Sequence, residues 1–304
     1  MFPITNPEIS GLAKHADIII LRPNHHRIIY NKPLDKAFTY FISAKIPENI
    51  AFFVSSILPR LTHPVNIIIA GTDATFPVNL DARGPGYKLI KGSDCEIICD
   101  NANINCMYVE NLAHDIPKAK PLPLGIVSQN HSYRFMDHFI KHQHINAEKP
   151  LKFTNFNRLR TDSTQWAERW YVKALCDHEP WSNHQATHPS TTKSHAQYLS
   201  CMSKYMFTIC VHGGGIDVNP KLWESLLVGT IPIIKENKPY TDLYRDLELP
   251  VVIVKDWKKT TINESNLTRW RDKYYPHFTD PEKRQDMLHK LTLDYWIKTI
   301  STSI

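Results

Sequence analysis

The sequence predicts an α/β fold of two Rossmann-like domains facing across a cleft, over residues 1–145 and 146–279, followed by a terminal helix over 280–304. Residues 17–21 (Asp-Ile-Ile-Ile-Leu) and 65–69 (Val-Asn-Ile-Ile-Ile) are short apolar runs of the kind a parallel sheet covered on both faces requires. A second series lies at 206–211, 231–234 and 251–254 with helical material between, and alternating strands and helices call for a layered α/β arrangement. With 304 residues and 42% apolar side chains, the chain can fill two cores of ordinary size.

In chain order, the 17–21 strand is followed by helical material around 47–58, the 65–69 strand, and a strand candidate at 105–110 (Asn-Cys-Met-Tyr-Val-Glu). The stretch 111–130 holds Pro117, Pro121, Pro123 and Gly125, breakers that read as a connection. The second domain opens with a strand at 151–156, then a helix carrying Trp166, Trp170, Ala174 and Leu175. Residues 178–198 form a polar interruption with His178, His184, His188 and His195. Lacking a His-x-x-x-His pair with a catalytic Glu, these read as solvated loop residues rather than metal ligands. From Asp280 onward, Met287, Leu288, Leu291, Leu293, Trp296 and Ile297 recur at helical offsets, which makes an amphipathic helix.

The most chemically suggestive span runs from Tyr205 to Ile234: a strand, the loop His212-Gly213-Gly214-Gly215-Ile216-Asp217, a short helix and another strand. Three successive glycines let backbone approach an anion, and the following helix start orients N–H groups toward it. Asn219 can cap that helix, Pro220 suits its first turn and Gly229 its end. Leu222, Trp223, Leu226 and Leu227 form its buried stripe, and Glu224 falls off the stripe, beside the loop or in solvent. The competing reading is a turn that merely joins two core elements. Ligands of open α/β sheets bind outside the strand C-termini, so the loop belongs in the cleft.

Composition narrows the classes. The net charge of +6, from 36 basic and 30 acidic side chains, favours anionic ligands weakly, but no aromatic-interleaved basic stripe marks a nucleic-acid surface. No Gly-x-Gly-x-x-Gly opens a helix after 17–21, and no nucleoside-triphosphatase glycine loop is present. Cys95, Cys99, Cys106, Cys176, Cys201 and Cys210 lack both disulfide-scaffold spacing and a Cys-x-x-Cys pair, which favours a reducing compartment without a structural metal. No leader pattern opens the chain and no run approaches a membrane span, so the expectation is a cytoplasmic enzyme.

The run from His212 to Ile234, with Leu222-Trp223-Glu224-Ser225-Leu226-Leu227 and Gly229-Thr230-Ile231-Pro232, resembles the exostosin-like glycosyltransferases, family 47, firmly over about 30 residues. Ser225 stands where that family usually has alanine. A soluble viral or microbial member, including a virus-encoded enzyme of the host cytoplasm, would fit the missing anchor. The resemblance implies a GT-B-type fold with an acceptor-side first domain, a nucleotide-sugar-binding second domain, and a terminal helix crossing back to the first. It implies inverting transfer of a sugar, xylose by slight preference, from a UDP-sugar to a glycan or glycoprotein hydroxyl, with no cofactor and no required metal. The absence of an Asp-x-Asp triplet agrees with that.

Within that reading each residue has a role. Arg158 and Arg160 follow the first strand of the second domain, where they can meet the diphosphate; otherwise they are solvated loop residues. His212, Gly213, Gly214 and Gly215 cover the phosphates or the sugar, and Glu224 accepts from the ribose hydroxyls. Asp73, just beyond the 65–69 strand, is the candidate base for the acceptor proton, with Asp217 and His114 as alternatives. Asp73 could equally be capping its own turn. Two other classes stay open: a non-catalytic carbohydrate- or nucleotide-binding module, and a sugar phosphorylase.

Overall fold

The computed structural model describes residues 5–6, 10–22, 27–71, 73, 75–78, 92–126, 149, 153–155, 167–177, 182–184, 195–217 and 220–302. Two parallel-dominated sheets lie in succession along the chain. The first is built from Ile18–Arg22 (β1), Arg27–Tyr30 (β2), Thr39–Ser43 (β3), Val65–Ala70 (β4), Ile104–Glu110 (β5) and Ala119–Leu122 (β6), in the order β2-β1-β3-β4-β5-β6. Only the β1–β2 pair is antiparallel. The second comprises Phe153–Asn155 (β7), Ser182–His184 (β8), Phe207–Ile209 (β9), Ile231–Lys235 (β10) and Val252–Val254 (β11), all parallel, in the order β8-β7-β9-β10-β11.

The unbroken apolar strands are explained by burial on both faces. Ile18, Ile20, Ile42, Ile67, Ile69 and Val109 enter one core, beneath the helix Glu48–Phe52 (α1) and the helix Gly92–Asp100 (α2). Their alternates Ile19, Phe41, Ile68 and Tyr108 point the other way, as the two-residue strand period requires, into a second core. That second core is continuous with Phe207, Ile233 and Trp223 of the other sheet layer.

Several elements differ from the sequence expectation. The stretch 111–130 contains β6, an edge strand whose Pro121 is tolerated because an edge strand has an outer side that needs no N–H donor. The interruption at 178–198 contains β8 and the start of the helix His195–Met202. Helical material near 47–58 is α1 followed by one wide π turn over 53–57. Pro232 lies inside the second sheet without cost, because β11 pairing begins only at Ile233 and the missing N–H faces that unpaired side.

Among the described residues, the remaining helices of seven residues or more are Ala167–Asp177 (α3), the His195–Met202 helix (α4), Lys221–Leu227 (α5), Tyr240–Asp246 (α6), Glu264–Tyr274 (α7), Pro281–Lys290 (α8) and Leu293–Ser301 (α9). Helix α9 starts at Thr292, whose hydroxyl accepts from the Tyr295 N–H, and buries Leu293, Trp296 and Ile300. It packs under the first sheet. The buried Asn66 amide of β4 donates to the Ile300 carbonyl at 2.8 Å, and the Tyr108 hydroxyl donates to that of Thr299 at 3.3 Å. Among the described residues, no helix is long and apolar enough to cross a membrane.

Candidate functional site

The glycine loop leaves the C-terminal end of β9, the central strand of the second sheet, and returns through α5 to β10. Gly229, at φ 72°, ends that helix turn in the left-handed region. The apolar stripe of Leu222, Trp223, Leu226 and Leu227 is buried, as its spacing predicts, but so are Lys221, Glu224 and Ser225. Glu224 therefore faces protein rather than solvent: it hydrogen-bonds the Tyr198 hydroxyl of α4, which burial and Glu224 together push well above its usual pKa. A ribose would have to displace Tyr198 to reach it. Burial pushes the Lys221 ammonium down to about 8, and the neighbouring Arg169 acts in the same direction.

The first domain grips the loop directly. Asn111, one residue past β5 and at φ 60°, accepts through Oδ1 from the N–H groups of Ile216 at 2.9 Å and Asp217 at 3.0 Å. Gly215 is required by this approach, since a Cβ there would stand 2.1 Å from Asn111 Oδ1. Asp217 is buried and both carboxylate oxygens are engaged: Oδ2 accepts from the Leu124 N–H and Oδ1 from the Tyr244 hydroxyl, each at 2.6 Å. Tyr240 of α6 completes the junction, its hydroxyl accepting from the Leu112 N–H at 3.0 Å and lying 3.3 Å from the Val109 carbonyl.

Beside this junction sits Glu110, the last residue of β5 and only 3% exposed. Its carboxylate accepts from the Gly71 N–H at 2.5 Å. Burial pushes its pKa up to about 8; the Gly71 hydrogen bond opposes the rise, and Asp217 and Asp73 add to it. Asp73 and Asp217 thus converge on one buried carboxyl. Asp73 is half-buried, two residues beyond Gly71, whereas His114 lies exposed three residues past Asn111. Arg158 and Arg160, together with Asn219, fall outside the described residues.

Helix α3 brings Glu168 and Arg169 against His212, at the start of the loop. Arg169 donates to the His212 carbonyl through Nε at 3.3 Å and Nη2 at 3.2 Å. Burial pushes the Glu168 carboxyl up, but its bond from Lys235, the proximity of His212 and a bond from Trp257 Nε1 at 3.3 Å outweigh this and hold it below the usual carboxylate range. His212 Nδ1 stands 3.6 Å from Glu168 Oε2. Burial lowers its pKa, with Arg169 and Lys235 in the same direction against Glu168, so the imidazole is neutral at pH 7. Glu168, His212, Ile216, Lys235, Asn237 and Trp257 line a cavity of about 240 Å³. Among the described residues, no group of three or more His, Cys, Asp or Glu is placed to hold a metal ion.

Sequence reasoning missed Glu110, Asn111, Glu168 and Lys235. The first pair had a signal: a charge and an amide closing an otherwise apolar strand, Met107-Tyr-Val-Glu-Asn-Leu112, at the end where such sheets bind ligands. Glu168 and Lys235 are 67 residues apart and meet only through the fold.

No protein-family model matches the chain, and no curated protein matches it. Among solved structures it is similar to TarM, with 8% identity and a TM-score of 0.47 over 87% of this chain and 54% of that one. It is also similar to an α,α-trehalose-phosphate synthase (UDP-forming) from Burkholderia vietnamiensis, with 7% identity and a TM-score of 0.43 over 86% and 73%. A third is the pneumococcal O-GlcNAc transferase GtfA, with 10% identity and a TM-score of 0.36 over 87% and 56%. The chain therefore spans little more than half the length of two of these three. The expected membership of the exostosin-like family is corrected: no family model, that one included, matches the chain. The resemblance rested on a loop, helix and strand whose residues have packing reasons of their own, Gly215 facing Asn111 and α5 being buried on every side.

Proposed function

We propose that this chain is a nucleotide-sugar-dependent glycosyltransferase, moving a sugar from a UDP-sugar to a hydroxyl of a glycan or glycoprotein. The supporting observation is the seat of the glycine loop: it leaves the central strand of one parallel sheet, borders a polar cavity, and is held by the end of a strand from the other sheet. Strand-end loops of two such sheets meeting at one place provide separate surfaces for two substrates.

In this reading Arg158 and Arg160 meet the diphosphate, His212 and Gly213–Gly215 border the donor, and Glu224 accepts from the ribose hydroxyls in place of the Tyr198 hydroxyl. The transfer is inverting: the acceptor oxygen attacks the anomeric carbon, its proton passes to Asp73, and UDP departs with the electron pair of the broken C–O bond. Asp73 is the first candidate for the base and Asp217, whose two oxygens hold Leu124 and Tyr244, an alternative together with His114. No metal is required by this scheme, and xylose is the first sugar to try. Titrating UDP and UDP-sugars against thermal unfolding tests it, because a ligand of the native state raises stability by mass action. A stabilising UDP-sugar whose effect is lost in Arg158→Ala is expected, with UDP released when a glycan acceptor is added. Absence of any stabilisation at millimolar UDP compounds overturns the reading, and binding without transfer to any acceptor would make the chain a binding module.

A further inference from the structure

The cavity beside the loop has a chemistry of its own. At about 240 Å³ it is smaller than the ~300–1,000 Å³ of pockets that enclose drug-sized ligands, so it has room for one ring and not for a whole nucleotide. Its lining carries two carboxylates, Glu168 and Glu236, against one ammonium, Lys235, and an imidazole held neutral by burial. Glu168 pairs with Lys235 and Glu236 with Arg245, so a phosphate or a carboxylated ring would have to compete with carboxylates already seated on these cations. A neutral polyol would not: it offers hydroxyl donors to carboxylate oxygens and acceptors to ammonium and imidazole in one small volume. Trp257 and Ile216 add apolar surface for the C–H groups of such a ring.

Resting on the glycosyltransferase reading, we propose that this cavity seats one neutral pyranose, the transferred sugar of the donor, and that Glu168 and Lys235 determine its identity. Glu168 is pre-organised for the task. The Lys235 ammonium and Trp257 indole fix its carboxylate, which stays ionised and leaves lone pairs for sugar hydroxyls. Glu236, also in the lining, is held by Arg245 at 3.2 Å.

The experiment compares affinities of UDP, UDP-glucose, UDP-xylose and UDP-glucuronate for the wild-type chain, Glu168→Gln and Lys235→Met by calorimetry. In the wild type, a neutral UDP-sugar is expected to bind at least tenfold more tightly than UDP-glucuronate. Glu168→Gln should weaken the neutral UDP-sugars about tenfold while UDP itself changes less than threefold, so that retained UDP binding also reports a folded protein. Lys235→Met, which removes the ammonium that fixes the Glu168 carboxylate, should act in the same direction, and this keeps the inference testable if Glu168→Gln fails to fold. Equal weakening of UDP and UDP-sugars, no weakening of either, or tighter binding of UDP-glucuronate overturns the sugar seat while leaving the function standing. Failure of the wild type to bind any of the four overturns both.

Discussion

Glu110 is a carboxyl that the folded chain keeps protonated well into the neutral range, and the direction of its effect on stability follows. Its ordinary value of 4.5 rises to about 8 on folding, so between these limits the native state holds a proton that the unfolded chain has released. Stability is therefore expected to fall as pH climbs from about 4.5 to about 8 and to level off above that, at no more than ~1.4 kcal/mol per pH unit. Glu110→Gln keeps an acceptor for the Gly71 N–H and loses the proton. The difference in urea midpoint between wild type and this variant, measured at pH 5.5, 7 and 8.5, should grow in the variant's favour; a constant difference would mean that Glu110 is ionised throughout. The glycine at 215 makes a steric prediction. Gly215→Ala should destabilise by about 1–3 kcal/mol through overpacking against Asn111, and Asn111→Gly in the same chain should recover part of that, giving a non-additive double-mutant cycle. In catalysis, Asp73→Asn is expected to lower transfer turnover by roughly 10²-fold with donor affinity kept, read from initial rates at saturating substrates. Near-normal turnover would move the base elsewhere.

At the scale of elements, the short helix α5 is the clearest case of a pattern that the sequence half-displays. The offsets of Leu222, Trp223, Leu226 and Leu227 specify one buried face, and Trp223→Ala should cost about 3–5 kcal/mol, measurable as a shift in thermal midpoint. What those offsets cannot display is that α3 and α4 close over the other face, placing Arg169 and Tyr198 against Lys221 and Glu224. The strands divide in the same way. β4 is legible because a strand covered on both faces must be apolar throughout, and 65–69 is nearly so. β3, Thr-Tyr-Phe-Ile-Ser, is as deeply buried but brackets three apolar residues with hydroxyls, and β6 hides behind a proline that only an edge position allows. The glycine loop could be seen as a loop. Asn111 could be seen as the polar residue closing a strand, but its pairing with the loop could not, because a contact across 105 residues leaves no periodic trace in either segment.

At the scale of the whole molecule, the described residues join the two sheets at the loop junction, through Asn111, Asp217 and Tyr240, and α9 reaches beneath the first sheet. A chain ending before Leu293 should lose the cover over Tyr108 and Ile68 and expose the apolar face to dye binding, with earlier and less cooperative thermal unfolding. Native-like cooperativity in that shortened chain would show that the first domain completes its core unaided. The Asn66 to Ile300 bond spans 234 residues, and this sets a clock on biosynthesis. At ribosomal rates of about 5–20 residues per second, β4 waits roughly 10–50 s for the helix that seals it. During that interval a finished row of strands stands with one oily side open, a surface that holding factors would have to shield until α9 emerges from the exit tunnel.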